Sequence, residues 1–225
     1  MPCYNAALFC EAVIEATLLY TKHLILIDDG SSDGTREILE KAAKKHPHKI
    51  ELMLYETNRG KGFVLLDGMN RALEHTSSTI FITIDSDGQH APSDIPPMAA
   101  QIDEGASLVI GTRQFNLMPL RSKFANTIIS SLLQLLYKNA PIDTQSGYRV
   151  FNRPLVEQIV KKVRGGRYEM EFRCLLLALV TNQKIVELPI STVYLNNNRA
   201  SNFHKFRDST RILKVLWHYW RYKTL

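Results

Sequence analysis

Long apolar runs are what this sequence most plainly lacks. No uninterrupted stretch among its 225 residues approaches the roughly 20 apolar residues that a membrane-spanning helix requires. Its first residues do not follow the charged, apolar, then small-residue order of a secretory signal. The expectation is a chain that neither crosses a bilayer nor is exported by that route. Cysteine is scarce too. Cys3, Cys10 and Cys174 are an odd set without metal-ligand spacing, which excludes a disulfide framework and a zinc site and fits buried thiols in a reducing compartment. There is no internal repeat or low-complexity tract. Lys and Arg outnumber Asp and Glu by 28 to 22, a net charge of +6, yet no basic and aromatic residues cluster as a nucleic-acid reader. Nucleic acid is therefore not expected as a partner. The basic excess gathers toward the C-terminus, where a solvated face or an anionic membrane surface would explain it equally well.

What is present is an ordinary globular composition, 45% hydrophobic and 22% charged, enough for one domain with a large core. Short apolar runs alternate with helical stretches. The pattern predicts strands over Leu24 to Ile27, Ile50 to Tyr55, Ile80 to Ile84 and Leu108 to Gly111, with helices near Arg36 to Lys45, Gly62 to His75 and Pro92 to Glu104 between them. This βαβ rhythm implies an α/β fold, a mostly parallel sheet flanked by helices. Beyond Arg113 the pattern changes. A long helix is expected from about Leu120 to Tyr137, a polar loop around Asp143 to Arg149, a helix from about Glu169 to Thr181, a strand over Ile185 to Val193, a polar loop over Asn196 to Phe206 and a last helix.

The strand ends carry the chemistry. Ile80-Phe81-Ile82-Thr83-Ile84 runs into Asp85-Ser86-Asp87-Gly88-Gln89-His90, so that two carboxylates at one strand's C-terminal edge can reach one hard cation. Oxygen ligands of this kind suit Mg²⁺ or Mn²⁺, which complete their shells with water and substrate phosphates. A second acidic segment, Asp28-Asp29-Gly30-Ser31-Ser32-Asp33, follows Leu24 to Ile27 in the same setting. Two such strands place a ligand crevice at the C-terminal rim of an open sheet. Asp28, Asp33 and Asp94 can equally be helix caps or turn residues. Lys61, between Gly60 and Gly62 at a helix start, either faces an anion or is merely solvated.

Several segments, in order, carry a resemblance: Pro2-Cys3-Tyr4-Asn5, "IDDGSSDGT", "NRGKGF", "IDSDGQH", "GTR", "DTQSGYRVF", "RYEMEF" and "ELPISTVYLNNNRASNFHKFRDSTRI". On these the chain resembles the family-two glycosyltransferases of the GT-A fold, and among them the polyprenyl-phosphate sugar transferases similar to dolichol-phosphate mannose synthase. The resemblance implies a nucleotide-binding half over residues 1–113, an acceptor half over 114–206 and an amphipathic helix over 207–225. It implies that Pro2, Tyr4 and Asn5 line the nucleotide pocket, that Ile27 and Asp29 flank base and ribose, and that Asp85, Ser86 and Asp87 form a DxD-type segment. Asp87 would then bind the metal directly, helped by Gln89. Arg113 resembles the arginine that contacts a donor or acceptor phosphate, through a planar fork that lysine cannot copy. Arg199, Ser201 and Lys205 match a basic loop that closes over the donor, or form an ordinary surface loop; His204 reads as solvent-exposed.

The reaction implied is inverting transfer of one sugar from a UDP- or GDP-hexose to a lipid phosphate or glycan. A lipid phosphate oxygen is already ionised near neutral pH, so only a hydroxyl acceptor needs a general base. Asp143 is the candidate base or acceptor-positioning residue, ahead of Glu169 and Glu171, and Glu171 can instead pair with Arg149 or Arg173. No QxxRW-type segment of processive synthases occurs. Phe124, Ile128, Ile129, Leu132, Leu133 and Leu136 make one apolar stripe; Ile212, Leu216 and Trp220 share a face opposite Arg211, Lys214, His218 and Arg221. Such helices pack on a core or lie in a bilayer interface, which gives peripheral contact at the cytoplasmic face of a membrane as the expected location, with homo-oligomerisation a further expectation.

One departure stands out. The family places a whole strand before the Pro-x-Tyr-Asn segment, and here Met1 immediately precedes Pro2. The expectation is a sheet short of an internal strand, with a weakened nucleotide pocket. Two rival readings follow: an inactive glycosyltransferase-like binding protein, and a phosphohydrolase in which "DSDG" plays the part of DxDG.

Overall fold

A computed structural model describes residues 1–113, 120–167, 169–191, 205–222 and 225. The order of elements is β1 (Pro2–Cys3), α1 (Cys10–Thr17), β2 (Leu24–Asp29), α2 (Thr35–Lys45), β3 (Ile50–Tyr55), α3 (Lys61–His75), β4 (Ile80–Thr83), α4 (Ile95–Asp103), β5 (Leu108–Thr112), α5 (Leu120–Leu136), β6 (Arg149–Asn152), α6 (Arg153–Lys162), α7 (Glu169–Val180), β7 (Ile185–Pro189) and α8 (Lys205–Tyr222). The strands form two pieces of sheet, β1-β2-β3 and β4-β6-β5-β7. Pairing is parallel within the first piece and between β5 and β7, while β6 runs antiparallel to both β4 and β5. The second piece is therefore mixed, because β6 returns from the far half of the chain rather than through a βαβ crossover.

Apolar runs become strands because both sheet faces are covered. Along β5, Leu108 and Ile110 enter one core with Leu65, Met69, Phe151 and Phe172, while Val109 enters the other with Ile14, Leu26, Leu39 and Met98. This is the period-two alternation of a strand between two helical layers.

Local chemistry sets the element boundaries. The segment expected as one helix over Pro92 to Glu104 divides into a 3₁₀ turn, Pro92–Asp94, and α4, since Pro96 and Pro97 lack amide hydrogens and are tolerated only in a first helical turn. The last strand ends at Pro189, short of Val193; residues 192 and 193 lie outside the described ones. α1, β6 and α6 were not expected. α6 starts where Asn152 Oδ1 accepts the Leu155 amide at 2.9 Å, a side-chain N-cap followed by Pro154.

Candidate functional site

The rim where β1, β2 and β4 end holds a cleft of about 730 Å³. β2 delivers Asp29, the segment after β4 delivers Asp85, Ser86 and Asp87, and the start of α3 delivers Lys61. Pro2, Tyr4 and Asn5 line it as well, so eight of the residues singled out from sequence share one cavity. Ile27 does not. It is buried in β2, with its Cδ1 over Gly68, because an interior position of a covered strand points into the core.

Each rim residue is fixed by a backbone device. Asn5 adopts a left-handed φ of 50°, and its Oδ1 accepts the Ser32 amide at 2.9 Å while its own amide donates to Ser31 Oγ at 3.1 Å. The acidic loop after β2 is thereby latched to the end of β1. Ser86 Oγ donates to Pro2 O at 3.0 Å, closing the latch from the β4 side. Asp29 accepts the amides of Arg59 at 2.7 Å and Gly60 at 3.0 Å, with Asn58 Nδ2 at 3.0 Å, and so anchors the loop that starts α3. Gly60 has φ 102°, a conformation glycine adopts without steric penalty. Asp28 and Asp33 take structural parts: Asp28 pairs with Arg36 at 3.1 Å, and Asp33 accepts Thr35 and Ala7 amides.

The acids after β4 are not equivalent. Lys61 Nζ lies 2.7 Å from Asp85 Oδ1 and 3.1 Å from Glu171 Oε1. Burial opposes the ionisation of Asp85, but Lys61 outweighs it and holds the group below the usual carboxylate range. Asp87 goes the other way, pushed up to about 6 by burial and then by the charge of Asp85. Its Oδ1 accepts the Gln89 amide at 3.0 Å. The Gln89 side-chain nitrogen is buried without a hydrogen-bond partner among the described residues. His90, buried and stacked on Tyr148 at 4.9 Å, is pushed down to about 4 by burial and is neutral at physiological pH.

Arg113 and Asp143 form a second centre beside this one. Nε and Nη2 of Arg113 donate to Asp143 Oδ2 and Oδ1 at 2.8 and 2.9 Å, and the Gln145 amide donates to Oδ1 at 3.2 Å. Asp143 is fully buried, and Arg113 outweighs that burial to keep its carboxyl low. Both carboxylate oxygens are thus engaged, and they hold the Arg113 guanidinium in place.

Glu171 pairs with Lys61 and not with Arg149 or Arg173. The buried Arg149 instead donates to the carbonyls of Ser146, Thr144 and Glu171, tying the 144–149 loop to α7. Asn58 and Arg167 also line the cleft without having been singled out. Asn58 stands in the NRGKGF segment and Arg167 opens the RYEMEF segment, so both were legible in the sequence, though only the fold brings them to one cleft. Arg199, Ser201 and His204 lie outside the described residues, and Lys205 is the first residue of α8.

Asp87, largely buried beside the ionised Asp85, carries a charge that a divalent ion would relieve, so Asp87 with Gln89 next to it in sequence fits such an ion. Among the described residues no group of three His, Cys, Asp or Glu side chains is placed to hold a metal ion by itself, so substrate oxygens would have to complete its shell.

Comparison with known proteins places the chain in a family and a fold. Residues 1–160 match the family described as Glycosyl transferase family 2. The chain is 30% identical over 218 residues, covering 89% of itself and 86% of the relative, to the UDP-N-acetylglucosamine–dolichyl-phosphate N-acetylglucosaminyltransferase of Methanococcus voltae. It is 29% identical over 181 residues, 80% of itself and 51% of the relative, to an undecaprenyl-phosphate 4-deoxy-4-formamido-L-arabinose transferase of Salmonella choleraesuis. Among solved structures, glucosyl-3-phosphoglycerate synthase of Mycobacterium tuberculosis in complex with Mn²⁺, UDP-glucose and phosphoglyceric acid shares the fold with a TM-score of 0.66 over 96% of this chain and 76% of its own, at 20% identity.

Proposed function

Since the chain belongs to glycosyl transferase family 2 and is a glycosyltransferase of the GT-A fold, we propose that it moves a single sugar from a UDP- or GDP-linked hexose to a polyprenyl phosphate at a membrane surface. The observation that carries this reading is the rim cleft, where Asp29, Lys61, Asp85 and Asp87 converge on a volume that suits a nucleotide. The acceptor class is supported by two relatives named for polyprenyl-phosphate substrates, aligned over 89% and 80% of this chain.

In this reading Tyr4, Asn5 and Asp29 hold the nucleoside, while Asp85 and Ser86 shape the diphosphate end of the cleft. Asp87 and Gln89 would hold Mg²⁺ or Mn²⁺, which supplies neutralisation of the diphosphate charge that grows as the sugar departs. Lys61 stands close enough to Asp85 to add a fixed positive charge at the same point. Arg113, its Nε–Nη2 edge held by Asp143, would bring its positive charge to the acceptor phosphate. The acceptor oxygen forms a bond to the anomeric carbon as the bond from that carbon to the diphosphate oxygen breaks, with inversion. The phosphate nucleophile is already anionic, so no proton need be removed, which agrees with an Asp143 engaged on both oxygens.

A peripheral membrane position is supported by the exposed side chains of two helices. Leu135 and Leu136 on α5, and Trp217, Trp220 and Tyr222 on α8, are exposed, near the cations Lys214 and Arg221. No described helix is long and apolar enough to cross a membrane.

The test is transfer of labelled hexose from UDP- and GDP-sugars to dolichyl or undecaprenyl phosphate with Mn²⁺ or Mg²⁺. Metal-dependent product is expected, with Asp87→Asn lowering kcat by at least about 100-fold, or about 3 kcal/mol of transition-state stabilisation. Metal-dependent nucleotide binding without transfer to either lipid would favour the inactive binding protein.

A further inference from the structure

α7 and α8 pack on one another, and with the loop that leads into α7 they border a second cavity, of about 540 Å³. None of its lining residues lines the rim cleft, and the proposed reaction uses none of them. Three permanent cations reach it, Arg164 from the loop, Arg173 from α7 and Lys214 from α8, against one acidic side chain, Glu169. Helical spacing gathers them: Glu169 and Arg173 stand four apart on α7, Lys214 and Trp217 three apart on α8. Val215 closes the cavity on the core side, while Trp217, which also lines it, is 60% exposed.

These cations are not spent on the fold. Among the described residues the side chains of Arg164 and Lys214 make no ion pair or hydrogen bond. Arg173 is tethered at one nitrogen, Nη1, which donates to the carbonyls of Arg164 at 3.3 Å and Gly165 at 3.2 Å. Its Nε and Nη2 have no hydrogen-bond partner among the described residues, so one edge of the planar fork can give two parallel bonds to a phosphate. Burial lowers the pKa of this guanidinium, Glu169 opposes the shift and Arg164 adds to it, so a bound anion would relieve the group. Glu169 forms no ion pair with Arg173, and its Oε2 is buried without a hydrogen-bond partner among the described residues. A carboxylate oxygen in that state calls for a donor.

We propose that this cavity seats the headgroup of an anionic bilayer phospholipid, a phosphodiester that carries headgroup hydroxyls, as phosphatidylglycerol does. The phosphate oxygens accept from Arg173 Nε and Nη2, Arg164 and Lys214 add charge, and a headgroup hydroxyl donates to Glu169 Oε2. A headgroup ammonium could donate to Glu169 as well, but three neighbouring cations repel it. A lipid rather than a free phosphate ester is favoured by Trp217 and Trp220, exposed on the same helix as rings suited to headgroup depth. The loop that the headgroup fixes also borders the rim cleft, since Gly166 O accepts the Phe63 amide at 2.9 Å and Arg167 lines that cleft. The inference rests on the peripheral membrane position proposed above, and not on which sugar is moved or to what acceptor.

The experiment titrates the full chain with dihexanoyl phosphatidylglycerol below its micelle concentration and follows amide chemical shifts. Saturable shifts are expected at Arg164, Gly165, Arg173, Lys214 and Trp217, with a Kd below about 1 mM. Arg164→Gln with Lys214→Gln, both at exposed positions, should weaken binding by at least about tenfold. Lys161→Gln with Lys162→Gln, which removes equal charge from the exposed end of α6, should change it less than about twofold. Glu169→Met should still bind, but without preference for phosphatidylglycerol over phosphatidylmethanol, an equally charged diester that lacks a headgroup hydroxyl. Absence of saturation, or equal weakening by both charge pairs, would overturn the proposal. So would binding of glycerol 1-phosphate as tight as that of the lipid, which would make this a site for a free phosphate ester. Vesicle cosedimentation separates the pocket from the membrane position. Attachment to phosphatidylglycerol vesicles without saturable binding of the short-chain lipid would keep the membrane position and remove the pocket; the converse would keep the pocket and remove the membrane position.

Discussion

Lys61 Nζ bridges Asp85 Oδ1 at 2.7 Å and Glu171 Oε1 at 3.1 Å, joining the start of α3, the end of β4 and the first turn of α7 through one ammonium group. The first acid of the DSD segment is thereby compensated before any ligand arrives, and the second is not. Asp85 stays ionised beside its cation, and its charge is part of what raises the pKa of Asp87. The rim holds one settled carboxylate and one that gains from a further positive charge.

Replacing Lys61 with Met leaves two largely buried acids facing each other without their cation. Removing one partner of a buried ion pair costs about 3–5 kcal/mol in general; side chains here retain 9–26% exposure, so a loss of about 2 kcal/mol is expected. Urea unfolding at pH 7.5 measures it. Mn²⁺ is expected to stabilise the variant more than the unmodified chain, since the vacated charge leaves a stronger cation site; an equal Mn²⁺ effect on both would remove Lys61 from any electrostatic part in the cleft.

Asp87→Asn should stabilise the protein while disabling it. The folded-state pKa of about 6 lies above the ordinary aspartate value of 3.8, so between these values the native state binds more protons than the unfolded one, and stability falls as pH rises through that window. Above pH 6 the ionised Asp87 costs about 1–2 kcal/mol, after allowance for its partial exposure. The variant is expected to unfold at higher urea than the unmodified chain at pH 7.5 and to match it below pH 4. A difference independent of pH would mean that the aspartate charge is not the source.

Much of this was readable because the parallel strands announce themselves. β3 is found at the bounds its Ile50 to Tyr55 pattern gives, and the acids that end β2 and β4 fall together in one cleft because strands of one direction share a C-terminal rim. β6 was not readable. It is four residues long, begins with a fully buried arginine, and its antiparallel direction depends on contacts far along the chain. α6 does carry a signal, Asn152 as N-cap with Pro154 in the first turn and Leu155, Val156 and Ile159 on one face, but it is short and adjoins a polar loop. α1 likewise has Cys10, Val13, Ile14 and Thr17 at helical spacing. Within the site, residue types placed the acids and Lys61, but the identity of each partner was a tertiary matter. Glu171 joins Lys61 because α7 contacts α3, which no spacing encodes.

Gly147 is expected to admit no side chain. A Cβ there would lie 2.7 Å from Lys61 Nζ, 2.9 Å from Glu171 Oε1 and 3.0 Å from Asp85 Oδ2. Gly147→Ala would therefore drive the ion cluster apart, with little harm to the hydrophobic core. Circular dichroism should be unchanged, and donor affinity should fall about tenfold, or 1.4 kcal/mol. Retained affinity would show that the cluster adjusts without consequence.

Arg113→Lys tests the planar fork. The guanidinium meets Asp143 through two parallel bonds, and lysine can satisfy only one oxygen at a time. Asp143, fully buried, then loses part of its compensation. The expected outcome is a loss of about 2 kcal/mol in stability together with a raised KM for the lipid phosphate and an unchanged donor KM. A change confined to the donor would reassign Arg113 to the nucleotide side.

Trp217 and Trp220 decide whether the chain touches a bilayer. They are 60% and 73% exposed on α8, whereas Val215 is 6% exposed and faces the core. That distribution is unfavourable for a helix packing only on its own protein, since large aromatic rings gain most where an apolar layer meets water. Lys214 and Arg221, also exposed on α8, would add attraction to anionic lipid. Replacing both tryptophans with Ala is therefore expected to lower partitioning onto phosphatidylserine-containing vesicles by at least about tenfold, while transfer to a short-chain, water-soluble prenyl phosphate keeps its kcat. Cosedimentation and the soluble-acceptor assay read the two effects separately. If activity on both acceptors fell alike, the rings would be serving the fold or the acceptor cleft, and the membrane contact would have to lie elsewhere.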